Sequence, residues 1–147
     1  MYLLDTNVVA EIRKSKAGKA DKNVLAWAGN IAAPRLYISA ITVLELELGV
    51  LLIERRDTQQ AAALRTWLDE TVLEVFAGRI LPIDAVVTQR CANLHVPDPK
   101  SERDGFVAAT ALVHAMTIVT RNLDDFKLTG AMLLNPWEIS PNHSMRR

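Results

Sequence analysis

Four places in this chain carry oxygen donors of the kind that hold a hard divalent cation. Asp5 closes the apolar run YLLD. Glu45 lies inside ITVLELELG, Asp104 inside SERDGFVAATAL, and Asn122, Asp124 and Asp125 share TRNLDDF. Carboxylate oxygens suit hard cations such as Mg²⁺ or Mn²⁺, which do not use thiolates. Each residue also has a plainer reading. Asp caps helices well, a half-exposed Glu is ordinary, Ser101-x-x-Asp104 resembles a capping box, and Asn and Asp after a strand commonly make a turn. The grouping carries more weight than any one acid, because carboxylates gathered at one edge repel one another until a cation joins them.

Helical phase separates two competing glutamates. On a helix, Glu45 shares its face with Ile41, Leu48, Gly49 and Leu52, whereas Glu47 points almost oppositely and shares its side with Glu54. Glu45 is therefore the carboxylate expected on an apolar, close-approach face, where it is costly without a partner or a metal. Asp104 is followed on its helix face by Val107, Ala108 and Ala111, small enough for another segment to pack closely. A carboxylate in a first helical turn is also held in its charged form by the helix dipole, which is the form a metal binds.

The elements that must position these residues follow from pattern. YLLD, RLYIS, RILPID, TIVTR and AMLLN read as short strands. NVVAEIRK, NVLAWAGNIA, AITVLELELGVLLIERR, DTQQAAALRTWLDETVLEVF, AVVTQRCANLHV and SERDGFVAATALVHAM read as helices. Asp21 and either Asp57 or Thr58 are expected caps. Short continuous apolar strands alternating with helices predict an α/β fold with a central parallel sheet flanked by helices. Ligands of such sheets bind beyond the carboxyl ends of the strands, where Asp5, Arg121 and Asn122 fall.

A length of 147 residues suits one domain. The expected boundary places the domain in residues 1–138 and a loose tail in 139–147. The single cysteine, Cys91, excludes an internal disulfide and fits a small packed side chain in a reducing compartment. No apolar run is long enough to span a bilayer and the N-terminus lacks the pattern of a signal peptide, so a soluble cytoplasmic protein is expected. With 17 basic and 17 acidic residues the formal net charge is zero. That argues against a non-specific nucleic-acid coat, though acids gathered in a metal site would hide a basic rim from the sum. Arg13, Lys14 and Arg121 are candidate phosphate-positioning cations, each more readily explained singly as solvated charge. There is no Gly-rich phosphate loop, His95, His114 and His143 lack zinc spacing, and no Ser or Cys nucleophile motif occurs. Trp27 and Trp67 read as packing residues.

Taken together, YLLDTNVVAEIRK, LYISAITVLELELG, RILPID, RDGFVAATALVHAMTIVTRNLDDF and LLNPW resemble the PIN-domain nucleases, and within them the VapC toxins of bacterial toxin–antitoxin pairs, in the branch close to FitB. The resemblance runs from Met1 to about Trp137. It implies a three-layer PIN-like fold and Mg²⁺- or Mn²⁺-dependent cleavage of RNA, transfer or ribosomal RNA loops being what relatives cut, with 5′-phosphate and 3′-hydroxyl ends. By resemblance the metal-binding acids fall on Asp5, Glu45 and Asp104, with Thr6 and Asn7 as supporting polar residues. The family's fourth acid, directly after a TR pair, falls on Asn122, a departure, while Asp125 lies three residues further on. A three-carboxylate site completed by water and Asn122 or Asp125 is the expectation. The resemblance also implies a VapB- or FitA-like antitoxin that inhibits by occupying the site. The apolar surplus of VLELELGVLLI and AAALRTWLDETVLEVF predicts a homodimer and a groove for an antitoxin helix. Two other classes stay open from the residues alone: a PIN-like protein that binds RNA or a partner without cutting, and a metal-dependent phosphohydrolase of small phosphates.

Overall fold

The computed structural model describes residues 1–139, so most of the predicted tail, and His143, lie outside the described residues. Five parallel strands form one sheet in the order β3-β2-β1-β4-β5: β1 (Tyr2–Leu4), β2 (Leu36–Ser39), β3 (Ile80–Leu81), β4 (Thr117–Val119) and β5 (Met132–Leu134). The chain builds outward from β1 to β3, then crosses back to lay β4 on the free side of β1. The order therefore reverses between β1 and β4, the place where an open α/β sheet opens a crevice at its carboxyl edge.

Helices cover the sheet: α1 (Thr6–Arg13), α2 (Lys22–Gly29), α3 (Ala40–Glu54), α4 (Thr58–Trp67), α5 (Leu73–Val75), α6 (Ala85–Leu94) and α7 (Glu102–Val113). The starts of all but α5 are fixed by side-chain caps. Asp21 accepts from the amides of Asn23 and Val24 at 2.9 and 3.1 Å, Asp57 (rather than Thr58) from Gln60 at 3.0 Å, and Asp84 from Val87 at 3.0 Å. The long helix expected over DTQQAAALRTWLDETVLEVF is interrupted, because α4 passes into a π-helical segment over Leu68–Val72 before α5. Leu68 and Val72, four residues apart and so on one side of the segment, are both buried.

Two cores sit on the two faces of the sheet. One gathers Leu4, Val8, Trp27, Ile38, Leu68 and Val119, and the other Leu3, Val107, Ala108, Ile118 and Phe126. Trp27 is a packing residue as expected, edge-on to Tyr2 at 5.2 Å, and Cys91 is buried. The face of α3 around Glu45 differs from expectation. Ile41, Thr42 and Val50 are the buried residues, so of the expected neighbours Ile41 is buried, while Gly49 has open space around it and Leu52 is 63 % exposed. Among the described residues no segment packs against Gly49, because the sheet covers one side of a helix that is apolar nearly all round.

Phe126 is 1 % exposed and anchors the turn after β4. Truncation to alanine removes a fully buried ring and leaves a cavity, so Phe126→Ala should cost about 3–5 kcal/mol, read as a lowered urea midpoint at unchanged slope.

Candidate active site at the carboxyl edge of the sheet

Register brings the site together. Leu4 pairs with Val119 and the Asp5 amide donates to the Val119 carbonyl at 2.9 Å, so Asp5 stands opposite Thr120. The half-buried Asp5 carboxylate accepts from the Thr6 amide at 2.9 Å through Oδ1. Its Oδ2 accepts from the Thr120 hydroxyl at 2.9 Å and from Asn7 Nδ2 at 3.3 Å. Thr120 is fully buried and its oxygen in turn accepts the Asn122 amide at 3.0 Å. Asn7 Oδ1 accepts the Arg121 amide at 3.1 Å, tying the start of α1 to the loop after β4.

The strand–helix junction at Ser39 delivers Glu45. Ser39 is buried and caps α3 by accepting the Ile41 amide at 3.0 Å, so Glu45 lies roughly one and a half turns in. Thr6 Oγ1 donates to Glu45 Oε1 at 2.7 Å and lies 3.3 Å from Thr42 Oγ1. The other oxygen, Oε2, lies 3.7 Å from Arg103. Glu47 faces elsewhere, as the helical phase predicts, in a two-pronged ion pair with Arg65 of α4. Asp104 is the third residue of α7, and its amide donates to the Ser101 hydroxyl at 3.1 Å. The cap that explains Asp104 as structure thus coexists with a carboxylate that feels the charges of Asp125 and Glu45.

Electrostatics link these groups. Burial pushes Asp5 above the ordinary carboxylate range, and the charges of Glu45 and Asp104 push it further, against the hydrogen bonds from Thr120 and Thr6. Asp104 is raised first by burial, and then by the charges of Asp125 and Glu45. Asp125 therefore belongs to the acidic field. Asn122 lies at the mouth, held through its backbone. Among the described residues no three His, Cys, Asp or Glu side chains are grouped closely enough to hold a metal ion by themselves. A set of half-buried carboxylates that repel one another, with hydroxyl and amide oxygens between them, fits a hard cation that keeps several waters and takes few direct carboxylates.

Sequence reasoning missed three contributors. Thr120 lay inside the strand segment TIVTR and Thr42 inside the helix segment AITVLELELG without being singled out, and Arg103 was not considered among the cations. A threonine just past a buried strand at the carboxyl edge was the available signal for the first. The three cations singled out from sequence are engaged away from the acids. Arg13 lies over the Trp67 ring at 5.5 Å, Arg121 over Trp137 at 5.0 Å, and Lys14 pairs with Glu11 at 3.1 Å.

A parallel sheet with acids at its switch point defines a class, and the PIN domain family model matches residues 2–131. The chain belongs to the PIN domain family, a family of generally divalent-metal-dependent ribonucleases. Among curated proteins it is 36% identical over 143 residues to the toxin FitB of Neisseria gonorrhoeae, covering 93% of this chain and 99% of that protein. It is 35% identical over 143 residues to the VapC ribonuclease Y4jK of Sinorhizobium fredii, covering 94% and 99%. Among solved structures, the crystal structure of FitAcB from Neisseria gonorrhoeae superposes with a TM-score of 0.85 at 35% identity, covering 95% of this chain and 100% of that one. No helix among the described residues is long and apolar enough to cross a membrane.

The raised Asp5 and Asp104 set a pH dependence. Folded, these groups hold protons that the unfolded chain has already released, so metal-free stability should fall as pH rises above the ordinary carboxylate range through the folded values. Above those values the cost is complete and constant. Denaturant midpoints taken across pH in EDTA should show this fall, Asp5→Asn should flatten it, and Mn²⁺ should reverse it by binding the deprotonated form.

Proposed function

We propose that this chain is a Mg²⁺- or Mn²⁺-dependent endoribonuclease, the toxin of a toxin–antitoxin pair, cutting accessible loops of RNA such as those of transfer or ribosomal RNA. The observation that carries the reading is the shared field of Asp5, Glu45 and Asp104 at the switch point of a PIN-family sheet. Relatives named as a ribonuclease and as a toxin, each matched nearly end to end, support it.

In this reading Asp5, Glu45 and Asp104 hold the cation, and Asp125, whose charge reaches Asp104, takes the fourth place in preference to Asn122. The bound cation supplies a water of lowered pKa and steadies charge on the phosphate under attack. The chain's own part is orientation. Thr120 and Asn7 fix one oxygen of Asp5, Thr6 fixes one oxygen of Glu45, and Glu45 or Asp104 aligns the attacking water. Single-stranded or looped RNA is the substrate because its splayed backbone can reach an edge crevice.

The antitoxin reading has a surface to rest on. A cavity of about 750 Å³ opens between α1 and α4–α5, away from the acids. Its floor includes Val9, Ile12, Trp67 and Phe76, and its rim includes Arg13, Lys14, Lys16 and Lys19. An amphipathic segment of a VapB- or FitA-like antitoxin fits such a groove, and similar chains occur in complexes described as FitAB and VapBC. The homodimer reading rests on Leu44, Leu51 and Leu52, exposed along α3, an apolar stripe that a second copy would cover.

Expression of the chain alone should arrest growth and the purified protein should cleave RNA with Mn²⁺. Asp5→Asn should abolish both, with a loss of at least about a hundredfold in rate; equal toxicity of the two would overturn the nuclease reading. Asp125→Asn should weaken Mn²⁺ binding in calorimetry more than Asn122→Ala does. In the ultracentrifuge, Leu52→Glu should convert a dimer to a monomer.

A further inference from the structure

Arg103 is the cation that the structure pairs with the acids around Asp5. It precedes Asp104 on the first turn of α7, its side chain is 52 % exposed, and its guanidinium lies 3.7 Å from Glu45 Oε2. That separation is too long for a hydrogen bond, so the contact is a loose charge pair. The other described cations near the carboxyl edge are committed. Arg121 stacks on Trp137 and lends its charge to Glu11, Lys100 donates to the carbonyls of Leu94 and Asp98, and Lys127 pairs with the outlying Asp124 at 3.5 Å. Glu45 is meanwhile divided: Oε1 is fixed by Thr6 at 2.7 Å and Oε2 is left to Arg103.

We propose that Arg103 is the substrate-phosphate ligand of this site, resting on Glu45 Oε2 in the free protein and transferring to a non-bridging phosphate oxygen when RNA and cation enter. The inference rests on the nuclease reading above. A guanidinium is suited to the exchange, since its planar fork matches phosphate oxygens and its charge does not titrate away. A cation bound by Glu45 takes over the charge that Arg103 balances, which frees the side chain at the moment that a phosphate needs it. Without such a ligand the acidic field would repel the RNA backbone. Because Arg103 is exposed and makes one loose contact, its replacement leaves folding intact.

The test uses Arg103→Ala and Arg103→Lys, with single-stranded RNA of mixed sequence as substrate and Mn²⁺ alone as a second probe. Arg103→Ala should lower kcat/KM for cleavage about ten- to a hundredfold and make it less steeply dependent on salt, by roughly one phosphate contact's share. Mn²⁺ affinity measured by electron paramagnetic resonance without RNA should hold or tighten, since a competing cation has gone. Arg103→Lys should keep the salt dependence and recover only part of the rate. Weakened Mn²⁺ binding in Arg103→Ala would overturn the proposal in favour of Arg103 as an aligner of Glu45, and unchanged cleavage and salt dependence would overturn it outright. A wild-type chain that cuts no RNA would sink the nuclease reading and this inference with it, whereas a wild type that cuts and an Arg103→Ala protein that cuts equally well would sink this inference alone.

Discussion

A carboxylate half-buried beside two others is the constraint around which the rest of this structure is arranged. Asp5 bears the cost of burial and the repulsion of Glu45 and Asp104 together. A group in that position tends to neutralise itself by taking up a proton. The fold opposes this with short-range donors: the Thr6 amide, the Thr120 hydroxyl and the Asn7 amide all aim at Asp5. They lower the cost of the charge without removing it, and what remains is a standing attraction for a cation. The same arrangement makes the site a stability liability in the absence of metal, a common trade where function needs buried charge.

The supporting framework follows from how each acid is delivered. Asp5 comes directly off a strand whose register is fixed by pairing with β4. Glu45 and Asp104 come from helices whose first turns are pinned by Ser39 and Ser101. A parallel sheet holds its carboxyl edge rigid from both faces, and two separate cores back it. The turn bearing Asp125 is the least regular support, a single 3-10 turn (Leu123–Asp125) ahead of the buried Phe126. The three strand- and helix-borne acids thus sit on regular elements, whereas Asp125 rests on one aromatic anchor.

Much of this was legible in the sequence because the relevant signals were local. Continuous apolar runs of three or four residues gave every strand, although RILPID shortened to Ile80–Leu81, since a strand's ends depend on its neighbour. Caps at Asp21 and Asp57 were readable for the same reason, as was the opposition of Glu45 and Glu47, which needs only helical phase. Three things were not local. A helix apolar on nearly every side, such as α3, has no face that sequence can call buried, so the surroundings of Glu45 were misjudged. The destinations of long cationic side chains are set by tertiary partners: Arg13 and Arg121 found aromatic rings, while Arg103 found Glu45. The role of Thr120 came from the register between β1 and β4, which no single segment encodes. The family resemblance supplied the set Asp5, Glu45 and Asp104, and the charge coupling supports it without depending on it.

The geometry of α1 joins the two surfaces that the functional reading needs. Its first turn carries Thr6 and Asn7, which hold Glu45 and Asp5, and its last turn carries Ile12 and Arg13, which line the groove. The helix has 8 residues, about 12 Å at 1.5 Å per residue. A segment lying in the groove is therefore only a helix length from the acids, close enough for its continuing chain to reach them. Val8 and Val9 bury the middle of α1 in the core, and Asn7 fastens its start to the loop after β4. A displacement of α1 by a bound partner would be transmitted to both oxygens that Thr6 and Asn7 hold. Occupation of the site and pressure on its supports are then two consequences of one docking event, and they differ in what they require: the first needs the partner's chain to extend beyond the groove, while the second needs only the groove to be filled.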